Sequence, residues 1–195
     1  MAVAIGLGIA VAIPWILAHK GAAPFEEHVR PFFVDTPAWF LPVWVILRIV
    51  GSVVVAPIVE ELAFRGYLMR RLVARDFDQV PLSRWTPLAV LGSSLLFGVP
   101  HQRWILGSVA GLVYAIAVIR RGRLLDGSVA HATTNALVAV CVLKSGDWSM
   151  WLWGRRELPA KSPRGGSPQP LGLSPRLPQV AIPSKVVELG HNHGV

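Results

Sequence analysis

Apolar residues run in blocks along this chain. Ala2–Ala18, Trp85–Pro100 and Trp104–Ile119 are stretches of 16 or 17 residues without a single charge. A helix crossing a bilayer needs roughly 20 largely apolar residues, with about 17 the lower limit, so each block predicts a short span. Trp39–Val59 is a fourth block, interrupted by Arg48 and Pro57. It runs directly into Glu60–Arg75, where Leu62, Tyr67, Leu68 and Leu72 keep helical spacing. Trp39–Arg75 therefore predicts one kinked helix that leaves the membrane near Met69. Leu125–Leu143 predicts the last span. Lys20–Thr36 is polar, and Pro24, Pro31 and Pro37 predict that it holds no helix. Asp76–Arg84 predicts a loop. Trp39, Trp85, Trp104 and Trp148 stand at segment ends, where an aromatic belt would put them. The fold expected is all-α, a polytopic transmembrane helical bundle of about five spans in residues 1–153. From Gly154 the pattern is lost. Residues 154–195 hold seven prolines between Pro159 and Pro183 with many Gly and Ser, a composition that predicts a disordered tail.

Composition strengthens the membrane reading. Only 15% of residues are charged and the mean hydropathy is +0.51, whereas soluble domains carry about a quarter charged residues. The opening block lacks a basic leader and a small-residue cleavage site, so it predicts a first transmembrane helix rather than a signal peptide. The net charge of +8 does not point to nucleic acid, because the basic residues lie between the apolar blocks rather than along one stripe. Arg70, Arg71, Arg75 and Arg84 flank one loop; Arg120, Arg121 and Arg123 flank another. An antiparallel pair of spans puts both loops on one side, and the positive-inside rule makes that side cytoplasmic. Cys141 stands alone in an apolar run and predicts packing, not a disulfide. His191 and His193 read as solvated tail rather than as metal ligands.

Ionisable residues inside apolar segments are costly and usually mark function. The first group is Glu60-Glu61-Leu-Ala-Phe-Arg65. Glu61 and Arg65 are four apart with the acid first, the favourable order for a helical ion pair. Glu60 points roughly 140° away from Arg65, which leaves it free to act as a base. The other reading is one solvated cluster at a helix end. Phe97-Gly-Val-Pro-His101 places an aromatic ring and an imidazole on one face; alternatively His101 is an interfacial residue. His131-Ala-Thr-Thr-Asn135 aligns an imidazole with a carboxamide, an arrangement that also serves bonding between helices. Chemistry is favoured because the three groups fall at one depth. Glu60 lies nine residues inside Met69, about 13 Å, and His131 lies eight residues inside Arg123, about 12 Å. A hairpin about Asp76–Arg84 brings His101 to the level of Glu60. Water is expected to reach them from the cytoplasmic side. Gly107-Ser-Val-Ala-Gly111 predicts close helix packing within the chain, Arg48 faces the interior or snorkels, and Asp126 pairs with Arg120–Arg123 in a loop.

EExxxR, FxxxH and HxxxN, in this order on successive apolar helices, resemble the CPBP family of CAAX proteases and bacteriocin-processing enzymes, also called Abi. The similar region runs from about Val43 to Leu143. The flanking text APIVEELAFRGYLMRRL and GSVAHATTNAL further resembles a CAAX prenyl protease-related subgroup tied to exosortase-type sorting systems. The resemblance implies an intramembrane endopeptidase, in a bacterial inner membrane, acting on a membrane protein or peptide. It implies that Glu60 and His101 activate water, that His131 and Asn135 donate to the oxyanion, and that Arg65 holds Glu61. Such enzymes have also been described as metallopeptidases, so zinc on Glu60, His101 and His131 is the alternative. The absence of HExxH and the amide of Asn135 favour a metal-free site with no cofactor. Two other readings of the same residues are a noncatalytic scaffold or bacteriocin immunity-type protein, and a proton-coupled transporter using Glu60 and His101. Neither the substrate nor the oligomeric state is written in the chain.

Overall fold

A computed structural model describes residues 1–18, 24–148 and 150–151. The predicted disordered tail lies outside the described residues, as do His191 and His193. Among the described residues the chain is all-helical. The main elements are α1 (Ala2–Leu17), α2 (Phe25–His28), α3 (Phe40–Val73), α4 (Pro87–Gly98), α5 (Trp104–Arg121) and α6 (Leu124–Ser145).

The long helix α3 carries the clearest membrane evidence. Ile46, Leu47, Val54, Ile58, Val59 and Leu62 all point outward and are exposed. A contiguous apolar face of this size is rare on a monomeric soluble protein, and in hydrocarbon it costs nothing. α3 and α5 are long and apolar enough to cross a bilayer, and the protein is an integral membrane protein. The span expected at Trp85–His101 is shorter than the sequence suggested. α4 has 12 residues, about 18 Å of rise against the ~30 Å hydrocarbon core. Thr86 starts it by accepting the Ala89 N–H at 3.2 Å, and it ends at Gly98 before Pro100, which has no N–H to continue it. α3 runs without a break from Phe40 to Val73, through Pro57. Pro57 is absorbed by a π-helical turn at Gly51–Val55, and a second one follows at Leu62–Leu68, so the helix widens without breaking.

Lys20–Thr36 also departs from expectation. Its prolines begin helical turns instead of preventing them: Pro24 precedes α2, and Pro31 sits in the first turn of a 3₁₀ segment at Arg30–Phe33. Trp39, Trp85 and Trp104 are exposed at helix ends, as a belt requires. Trp148 is not; it is buried against Phe25, Trp44 and Trp151.

Small residues set how closely the helices approach. A Cβ on Gly8 would run into the Ala130 carbonyl and Thr133 of α6, and Thr134 Oγ1 donates to the Gly8 carbonyl at 2.9 Å. A Cβ on Gly98 would strike Ser108 and the Trp104 carbonyl of α5, and one on Gly107 would lie 3.0 Å from Gly98 Cα. The GxxxG of α5 thus packs inside the chain, as expected. Gly122 ends α5 in the left-handed region at φ 62°, whereas Gly127 continues α6 unbroken. Asp126 is buried in the first turn of α6 rather than in a loop, 3.7 Å from Arg121 and 3.6 Å from Arg123. At this end Leu124 also seats against Gly66 of α3.

Candidate active site

The site is built on the middle of α3. Arg48 and Glu60 are 12 residues apart, which in a regular α-helix would turn them about 120° from each other. The wider π turn between them takes up most of that drift. Arg48, Ser52, Ala56 and Glu60 consequently line one cavity. The turn also frees a carbonyl. Its bonds run five residues forward, as from the Gly51 carbonyl to the Ala56 N–H, and the matching partner of Ser52 is Pro57, which has no N–H. Asn135 Nδ2 donates to the Ser52 carbonyl instead, at 2.7 Å. One of its two N–H groups is thereby used and the other remains.

The two glutamates part company as their angles predict. Glu61 is fully buried and accepts from Arg65 Nη1 at 3.0 Å. Arg65 is also fully buried, donates to the Gly111 carbonyl, and lies with its guanidinium 4.5 Å from the Phe97 ring centroid. Its solvation is thus replaced by fixed partners, the condition for a charge to sit in an apolar core. Gly127 makes room for the pair, since a Cβ there would lie 2.9 Å from Glu61 Oε2 and 2.6 Å from Val118. Glu60, by contrast, sits on the cavity wall with its side chain 34% exposed.

His131 reaches the site from α6 and is held on three sides. Its ring stacks on Tyr114 with centroids 4.7 Å apart, and Phe97 meets it edge-on at 5.5 Å. Nδ1 lies 3.4 Å from Glu61 Oε1 and Nε2 lies 4.0 Å from Glu60 Oε2. His101 follows α4 and lines the same cavity, with Nδ1 2.9 Å from the Phe97 carbonyl. A carbonyl oxygen only accepts, so Nδ1 carries the proton and the neutral ring keeps its lone pair on Nε2. Trp15 of α1 packs edge-on against this ring at 5.8 Å.

Glu60, His101, His131 and Asn135 therefore share one cavity of about 270 Å³, while Glu61 and Arg65 lie behind the wall. Its extent differs from expectation. Trp15, Gln102, Arg103, Met150 and Trp151 line it, and the arginine-flanked loops contribute nothing. Residue counting put the three groups at one level, and they share one cavity, but it did not say toward which end that cavity runs. Met69 and Val118 are buried toward the arginine end, where a separate cavity of about 220 Å³ is lined by Leu7, Ala117, Arg120, Arg121 and Asp126; the site cavity runs toward the opposite end. Sequence reasoning missed Ser52, Tyr114, Thr134 and Trp151 as wall residues. Only the Pro57 interruption hinted at Ser52.

Zinc needs three or four converging ligands. Among the described residues no three His, Cys, Asp or Glu side chains form a group able to hold an ion. The ring nitrogens of His131 face two different carboxylates rather than a centre shared with His101, so Glu60, His101 and His131 do not fit the ion as they stand.

Residues 42–137 match the family model for type II CAAX prenyl endopeptidases, Rce1-like. That stretch, about half of the chain, belongs to the Rce1-like family. It holds all six site residues. No curated protein and no solved structure matches the chain. Membership in the Rce1-like family implies a CAAX protease, a hydrolase whose substrate is a membrane-associated protein.

Proposed function

We propose that the protein is an intramembrane endopeptidase in which Glu60 is the general base. The observation that carries this reading is the division of labour on α3. Glu61 is locked to Arg65 and buried, while Glu60 stands in a cavity with His101, His131 and Asn135. A water held between Glu60 and His101 Nε2 attacks the scissile carbonyl carbon, and its proton passes to Glu60. The carbonyl π bond opens and its oxygen becomes the oxyanion. The free N–H of Asn135 donates to that oxygen, as does an N–H at His131 Nε2. Collapse breaks the C–N bond, and the leaving amine takes the proton from Glu60.

The substrate is a membrane-anchored protein or peptide cut near an end, in keeping with the family. By the positive-inside rule the arginine-flanked loops face the cytoplasm of a bacterial inner membrane, and Glu60 then lies about 13 Å below that surface. Substrate enters along the cavity from the end lined by Trp15, Gln102 and Trp151, away from the arginine-flanked loops.

Glu60→Gln and Glu61→Gln test the assignment. Glu60→Gln is expected to lower cleavage of a prenylated CAAX peptide by about 10²–10⁴, the usual worth of a positioned base, with thermal stability unchanged. Glu61→Gln is expected to lower the melting temperature. Full proteolysis by a folded Glu60→Gln variant would leave the polar residues as helix glue only.

A further inference from the structure

Arg48 of α3 lines the cavity and is left unused by the chemistry above; Arg103, the other arginine of the wall, donates to the Ala18 carbonyl. Arg48 lies eight residues into α3, about 12 Å from the start of the helix and within an apolar block. A cation at that depth is costly unless it meets an anion or a set of acceptors. Arg48 has neither in full. Nη2 donates to the Trp151 carbonyl at 2.8 Å, and no acid among the described residues pairs with it. Its remaining N–H groups have no acceptor among the described residues. Yet the side chain lines the cavity that holds Glu60, on the stripe straightened by the π turn.

We propose that Arg48 binds the free C-terminal carboxylate of the peptide substrate, an inference that rests on the endopeptidase reading. A guanidinium grips a carboxylate through two parallel N–H donors, a charge-assisted pair stronger than a neutral one. Length sets the register. Twelve residues of helix rise separate Arg48 from Glu60 by roughly 18 Å at most, and the two side chains shorten the gap. An extended peptide covers about 3.3 Å per residue, so the carboxylate lies about three to five residues beyond the scissile bond. Arg48 is in this sense a specificity residue, touching the end of the substrate while the base acts on its carbonyl. Trp15, Met150 and Trp151 line the same cavity and give its wall an apolar character.

Binding of a fluorescent prenylated CAAX peptide tests this, with the peptide made as the free acid and as the C-terminal amide. The measurement uses the full chain carrying Glu60→Gln, to prevent cleavage, in phosphatidylcholine nanodiscs. Free acid is expected to bind at least tenfold tighter than amide. Adding Arg48→Met abolishes that preference, and Arg48→Lys restores part of it, which shows that the fold is intact. Equal binding of acid and amide, no binding of the acid, or a preference that survives Arg48→Met overturns the proposal. If Arg48→Met changes only the response to added phosphatidylglycerol, Arg48 is a lipid headgroup contact and the proposal falls. Cleavage by the otherwise unaltered chain separates this from the broader reading. Equal cleavage of acid and amide, abolished by Glu60→Gln, removes the carboxylate site and leaves the glutamate base standing.

Discussion

Replacing Arg65 with methionine keeps an apolar stem and removes the guanidinium from the most enclosed part of the molecule. The loss is threefold: the 3.0 Å ion pair with Glu61, the bond to the Gly111 carbonyl, and the contact over Phe97. Glu61 is then fully buried without its guanidinium partner, beside the His131 ring, whose Nδ1 lies 3.4 Å away. Removing one partner of a buried pair costs about 3–5 kcal/mol, chiefly because the other charge is stranded. For a chain of this size that corresponds to a fall of about 6–20 °C in melting temperature, at ~2–4 °C per kcal/mol. Thermal unfolding in dodecylmaltoside micelles reads the effect, with Arg71→Met as the exposed control. The double variant Glu61→Leu/Arg65→Met removes both charges and is expected to recover most of the loss. If Arg65→Met melts within a degree or two of the control, or if the double variant is the less stable, the buried pair does not organise this core.

Three further outcomes follow from the packing and the site. In a double-mutant cycle, Asn135→Leu is expected to cost about 1–3 kcal/mol, the range for a buried acceptor left without its partner. Its cost should shrink by half or more in a Pro57→Ala background, where a backbone N–H can reach Ser52; an unchanged cost in the melts refutes the π-turn account. Gly98→Val should destabilise by at least about 1–3 kcal/mol, the range for overpacking, because the obstructing atoms include backbone of α5. A melting temperature equal to the parent's would show that the α4–α5 contact is loose. Chelation followed by metal analysis should leave cleavage within twofold of the untreated protein, whereas loss restored only by zinc would require a ligand set that forms with substrate.

Much of this protein is determined by its sequence alone. The charge-free blocks set which segments become helices, because apolar side chains in a bilayer leave the backbone no partner but itself. The four-residue offset of Glu61 and Arg65 set their pairing, and the one-residue offset of Glu60 set its separation, since both follow from helical pitch within one element. The spacing of Arg48 and Glu60 did not reveal their shared wall. It depends on a π turn, and proline in a sequence announces a missing N–H without saying whether the helix kinks, stops or widens. The length of α4 was equally hidden, because apolar residues after Gly98 read the same whether they span or turn. Toward which end the cavity runs was not legible either, nor were the contacts among α3, α5 and α6, where Leu124 meets Gly66 and Gly127 admits Glu61. Such contacts join residues far apart in the chain, and only the packed bundle brings their shapes together.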